Sequence, residues 1–100
     1  MTSKSDIRQL RAIGHGLKPV VTVAGNGLSE GVMLELERAL SDHELIKVKL
    51  AVGGKEARET VTNELCANTG AELIQAIGNI ILILRRSPEP DPRLSNLVRA

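Results

Sequence analysis

A chain of 100 residues without one Phe, Tyr or Trp must build its core from aliphatic side chains alone. Aromatic rings normally supply large blocks of buried area and the stacking faces of ligand sites. Here Leu, Ile, Val and Ala have to fill the interior, and any binding site must work without rings. At this length one core fits and two do not, so two independent modules are excluded. The single cysteine, Cys66, has no internal partner, so no disulfide framework is available and a reducing, cytoplasmic setting is expected. The opening MTSKSDIRQLRAIGHG carries charges through its apolar positions, which is unlike a signal peptide. No stretch reaches the roughly 18 apolar residues of a membrane span, so a soluble protein is expected.

Apolar periodicity divides the chain. Ser3 or Ser5 can cap a first helix that ends near Gly14 and Gly16, read here as a flexible pair, with Ile7, Leu10 and Ile13 on its apolar side. The β-branched run Val20-Val21-Thr22-Val23 predicts a strand that stops at Ala24-Gly25-Asn26-Gly27. Ser29 is placed to cap the next helix. Leu28 and Met33 occupy the two positions of a hydrophobic staple, and Val32, Leu36 and Leu40 continue the buried stripe.

Residues 45–52 alternate. Ile46, Val48, Leu50 and Val52 face the core, whereas Leu45, Lys47, Lys49 and Ala51 face the other way. A third helix from about Lys55 to Thr69 carries Ala57, Val61 and Leu65 at spacing four and ends at Gly70. Glu72 to Ile77 and Ile80 to Leu84 form a hairpin around Gly78-Asn79, and five consecutive aliphatics in its second strand imply cover on both faces. The order αβαβαββ predicts a two-layer α/β fold, with a four-stranded mixed sheet packed against helices. Alternate prolines from Ser87 to Pro92 remove backbone donors, so residues 1–86 are assigned to one domain and 87–100 to a Pro-rich flexible tail.

The net charge of +1 hides a segmented distribution. Residues 1–20 carry +3 and residues 45–62 carry +2, while residues 28–44, with Glu30, Glu35, Glu37, Asp42 and Glu44, carry −4. Lys4, Arg8, Arg11 and His15 share one stripe of the first helix, and Lys47 and Lys49 share one face of a strand. The acidic stretch has no calcium-loop pattern and reads as a solvated face.

Enzyme chemistry needs a nucleophile with its base, a carboxylate pair or a metal cluster, and none is present as a pattern. His15 and His43 stand in separate elements without companions at ligand spacing, and His43 is best placed at the negative end of a helix. Cys66 borders an apolar stripe and reads as a small core residue. No metal, cofactor or catalytic activity is expected. The loop Ala24-Gly25-Asn26-Gly27 differs in kind, because it feeds a helix N-terminus whose free amides favour an anion such as phosphate. Two glycines admit a sugar-phosphate backbone closely, as in the GxxG clamp of KH domains.

Four stretches taken in order resemble a known family. They are Leu17-Lys18-Pro19-Val20-Val21, Gly25-Asn26-Gly27-Leu28-Ser29-Glu30-Gly31-Val32, His43-Glu44-Leu45-Ile46-Lys47-Val48-Lys49 and Gln75-Ala76-Ile77-Gly78-Asn79. Together they look like the signatures of the YhbY family, the bacterial stand-alone form of the CRM (chloroplast RNA splicing and ribosome maturation) domain. The resemblance implies an RNA-binding domain similar in fold to the C-terminal domain of translation initiation factor three, associated with precursors of the large ribosomal subunit. It also implies that the family's GxxG turn corresponds to Ala24 through Gly27. Ala24 stands where glycine is usual, and Asn79 and Leu84 replace a Lys and a Tyr common in the family.

The expected function is therefore binding of structured RNA, such as large-subunit ribosomal RNA. Gly25, Asn26 and Gly27 would offer backbone amides, while Arg8, Arg11, Lys18, Lys47, Lys49 and Arg85 would neutralise phosphates. A monomer is expected. The alternative is a protein-interaction adaptor on an assembly particle that uses the acidic second helix, with Glu35, Glu37 and Asp42 at its rim.

Overall fold

The computed structural model describes residues 2–98. Helix α1 spans Lys4–His15, and Ser3 caps it: the Ser3 Oγ accepts from the Asp6 amide at 3.2 Å. Strand β1 spans Pro19–Val23 and helix α2 spans Glu30–His43. At the start of α2 the Ser29 Oγ accepts from the Val32 amide at 3.2 Å, and the staple residues Leu28 and Met33 both pack on the core. Strand β2 spans Leu45–Leu50 and helix α3 spans Gly54–Thr69. Gly70 closes α3 at φ +75°, a left-handed position that favours glycine, and its amide donates to the Cys66 carbonyl at 2.9 Å. Strands β3, Glu72–Ile77, and β4, Ile80–Leu84, meet at the two-residue turn Gly78-Asn79.

The sheet order is β1-β2-β4-β3. β1 and β2 run parallel, a pairing that needs a crossover such as α2 to return the chain to the end of the sheet where β1 began, and the other two pairs are antiparallel. The element order and the mixed sheet are those predicted from the sequence.

The layering differs from expectation. Ile46, Val48, Leu50, Ile81 and Ile83 pack with Val21, Val23, Leu36, Leu40 and Leu65 on the α2/α3 side. Leu45, Leu82, Leu84 and Ile74 pack with Leu10 on the opposite face, with Ile7, Ile13, Leu17 and Leu97 around them. The helices therefore divide between the two faces, and a three-layer sandwich replaces the two-layer arrangement. The cause is visible in β4, whose five aliphatics need cover on both sides, and in Leu45, which breaks the polar face of β2. Gly14 belongs to this contact and is not a flexible hinge: a Cβ there would lie 2.5 Å from Leu82 Cδ2, so only glycine lets α1 approach the strand.

The segment after β4 also departs from the flexible tail expected of it. Ser95 is fully buried, and its hydroxyl donates to Glu44 Oε1 at 2.6 Å. The Ser87 amide donates to Glu44 Oε2 at 2.6 Å, and Asn96 Nδ2 donates to the Leu45 carbonyl at 2.7 Å. His43, the last residue of α2, donates from Nδ1 to the Leu94 carbonyl at 2.8 Å. Prolines forbid a helix or strand here but not docking, and these bonds with Leu97 strap the segment to the α2–β2 junction. Glu44, expected on a solvated face, is buried at that junction with φ +62°. Arg99 and Ala100, the end of the expected tail, lie outside the described residues.

Candidate nucleic-acid interface

The loop after β1 is a tight turn. The Gly27 amide donates to the Ala24 carbonyl at 2.9 Å, and Gly27 then takes φ +77° so that its own carbonyl can accept from the Ser29 amide at 3.0 Å. The amides of Gly25, Asn26 and Leu28 have no acceptor among the described residues. A Cβ at Gly25 or Gly27 would meet no atom within 4 Å. The loop therefore presents free donors on an unobstructed surface beside the positive end of α2, which is the geometry that receives an anion. Ala24, Gly25 and Asn26 are all exposed.

Three turns converge at this end of the sheet. The Ala51 amide donates to the Val23 carbonyl and the Leu50 amide to the Asn79 carbonyl, both at 2.7 Å. These bonds tie the end of β2 to the loop after β1 on one side and to the β3–β4 turn on the other. Gly53 and Gly54 follow at once and start α3, which has no side-chain cap.

The register gathers the lysines on the α1 side of the sheet. Lys47 lies opposite Leu82 and Lys49 opposite Ile80, while Thr22 of β1 pairs with Lys49. α1 covers only the half of this face around Leu45 and Leu84. The other half is open, with Val20 54 % and Ile77 65 % exposed. Lys18 and Lys47 line one hollow of about 200 Å³ together with His43 and Asn96. Lys47 also lines a second hollow of about 200 Å³ with His15 and Gln75. Lys18, Lys47 and Lys49 thus form one surface with the turn, Lys49 being the link between them. Arg8 and Arg11 are exposed on α1, on the stripe that ends at His15.

Arg85 is a correction. Its Nη1 donates to Glu37 Oε2 at 2.7 Å and to the Thr69 carbonyl at 2.9 Å, and its Nη2 to the Glu37 carbonyl at 3.2 Å and Ser41 Oγ at 3.0 Å. The guanidinium is committed to joining the end of β4 to α2 and to the Thr69 carbonyl at the end of α3, so it does not serve as a free phosphate contact. The same bonds remove Glu37 from the solvated acidic face. Sequence reading passed over Lys55 and Arg58, although the positive charge of residues 45–62 pointed to them. It also passed over Asn96, whose position by Lys18 depends on the docked strap.

Among the described residues no group of three or more His, Cys, Asp or Glu side chains is placed to hold a metal ion. Cys66 is half-buried against the α2/α3 core, and burial pushes its thiol pKa up, away from the reactive thiolate. No helix among the described residues is long and apolar enough to cross a membrane.

A small α/β sandwich with glycine turns gathered at one end of the sheet, and lysines on the adjoining open face, defines a binding module. Residues 2–85 match the CRS1 / YhbY (CRM) domain, and the chain belongs to that family. It is 53% identical over 92 residues to a probable RNA-binding protein of Pseudomonas aeruginosa, covering 92% of this chain and 88% of the relative. An RNA-binding protein of Haemophilus influenzae is 45% identical over 80 residues, covering 80% and 81% of the two chains. The fold is similar to the solution structure of a Staphylococcus aureus hypothetical protein, with a TM-score of 0.77 and 29% identity over 89% of this chain and 93% of that one.

Proposed function

We propose that the protein binds structured RNA through its phosphate backbone and acts in assembly of the large ribosomal subunit. The observation that carries this reading is the loop from Ala24 to Leu28, where the amides of Gly25, Asn26 and Leu28 are free to donate while that of Gly27, expected to be free, closes the turn, set beside the Lys47 and Lys49 face. Backbone amides and lysines read phosphates without reading sequence, which suits a chain without aromatic rings. The names of the Pseudomonas and Haemophilus relatives support an RNA partner. The ribosomal role is what the likeness to the YhbY signatures implies. The protein works by binding, as a monomer in the cytoplasm, with no cofactor.

The adaptor reading is weaker on this geometry. Of the rim carboxylates Glu35, Glu37 and Asp42, Glu37 is held by Arg85 and Asp42 lies 4.0 Å from Arg38, which leaves Glu35 as the exposed one outside any ion pair among the described residues.

Sedimentation of the tagged protein through a sucrose gradient, with and without light RNase treatment and at two salt concentrations, tests the function. Co-migration with large-subunit precursors that is lost on RNase or on added salt is expected. Co-migration that survives RNA digestion would favour protein contacts, and protein left at the top throughout would remove the ribosomal role.

A further inference from the structure

A groove of about 430 Å³ lies on the side of the sheet away from Lys47 and Lys49, between α3 and the edge strand β3. Buried Leu50 and Ile81 form its floor. Leu73 and Ala76 form the β3 wall, and Leu73 is 44 % exposed because α3 leaves this edge of the sheet uncovered. Along α3 the rim carries Lys55, Arg58, Glu59 and Asn63, whose side chains make no hydrogen bond or ion pair among the described residues. Gly78 of the hairpin turn closes the end of the groove. That turn is joined through Asn79 and Leu50 to the same end of the sheet as the loop after β1.

We infer that this groove is a second RNA subsite, which takes one unstacked nucleobase from the strand that crosses the Ala24–Gly27 loop. The inference rests on the RNA reading above and extends it from backbone to base. An aliphatic floor receives the face of a base, and two unpaired cations at the mouth suit the phosphate that must accompany it. Lys55 and Arg58 outnumber Glu59 at the rim, so the mouth favours an anionic strand such as RNA. Glu59 sets the preference. A carboxylate accepts two parallel N–H bonds from the Watson–Crick edge of guanine, whereas uracil offers one N–H flanked by carbonyl oxygens that the carboxylate repels. The subsite therefore selects guanine over uracil, and Asn63 can donate to or accept from the remaining base edge.

The test is fluorescence anisotropy with single-stranded RNAs of about ten nucleotides, one all uridine and one with a single central guanosine. Wild type is expected to bind the guanosine strand about fivefold more tightly. Glu59→Gln, at an exposed position, removes that preference. Leu73→Glu, which puts a carboxylate in the mouth, weakens both strands. Gly25→Val weakens both strands equally and keeps the preference. If Glu59→Gln and Leu73→Glu change neither affinity nor preference while Gly25→Val still weakens binding, RNA uses the loop alone, and the groove serves another occupant such as a protein segment. If wild type binds neither strand and Gly25→Val alters nothing on structured RNA either, the RNA reading itself fails and the subsite falls with it.

Discussion

The Ser95 hydroxyl donates to the Glu44 carboxylate at 2.6 Å across 51 positions of sequence, with both side chains buried. This bond and the one from the Ser87 amide give each oxygen of the carboxylate a donor, which offsets part of the cost of removing it from water. Ser95→Ala leaves one carboxylate oxygen short of a donor, and a loss of about 2 kcal/mol is expected by urea denaturation. A flexible tail would make the same substitution neutral.

Arg85 and Lys47 are both basic and differ in what holds them. Arg85→Ala releases Glu37 and two carbonyls at a half-buried site, so unfolding stability falls by about 1–3 kcal/mol. The salt dependence of RNA binding stays as in wild type. Lys47→Ala leaves stability within about 0.5 kcal/mol and flattens the slope of log affinity against log salt by about one unit or less. Filter binding at several salt concentrations beside a denaturation curve separates the two.

Gly25 gives the cleaner test of the loop. At Gly27 the φ of +77° makes any β-branched residue strained, so Gly27→Val mixes a backbone cost of about 1–2 kcal/mol with any loss of binding. Gly25 carries no such φ and faces open space. Gly25→Val is therefore expected to melt like wild type and to bind RNA more weakly. Unchanged affinity would take the loop out of the interface.

Cys66 supplies a pH signature. Burial raises its thiol above the ordinary range in the folded state, so the folded protein keeps a proton that the unfolded chain releases first. The stabilisation is complete below the ordinary thiol pKa and is lost as pH rises through the raised folded value. Wild type is expected to lose more stability than Cys66→Ala over that alkaline window, and native protein is expected to react slowly with a thiol reagent until unfolded. Equal pH profiles for the two proteins would contradict the burial.

Local chemistry was legible in the sequence where a residue acts on its near neighbours. Ser29 and the Leu28–Met33 staple marked the start of α2, Gly70 marked the end of α3, and Gly78-Asn79 marked the hairpin. The lysine face followed from period two in residues 45–50. What the sequence hid depends on partners far along the chain. Arg85 and Arg86 look alike until Glu37, Ser41 and Thr69 are brought to the first of them. Glu44 looks like one more surface acid until the residues after β4 fold back to it. The third layer was hidden for the same reason, since nothing local tells α1 which face of the sheet to cover.

The most direct test of the central claim is an amide chemical-shift titration of the labelled protein with a structured RNA. The expected result is a single contiguous set of perturbed amides over Ala24 to Gly31, Lys18, Lys47 and Lys49, diminishing as salt is raised, with the acidic face of α2 unmoved. Perturbation confined to the outer face of α2 around Glu35, or none at the glycine loop, would contradict it.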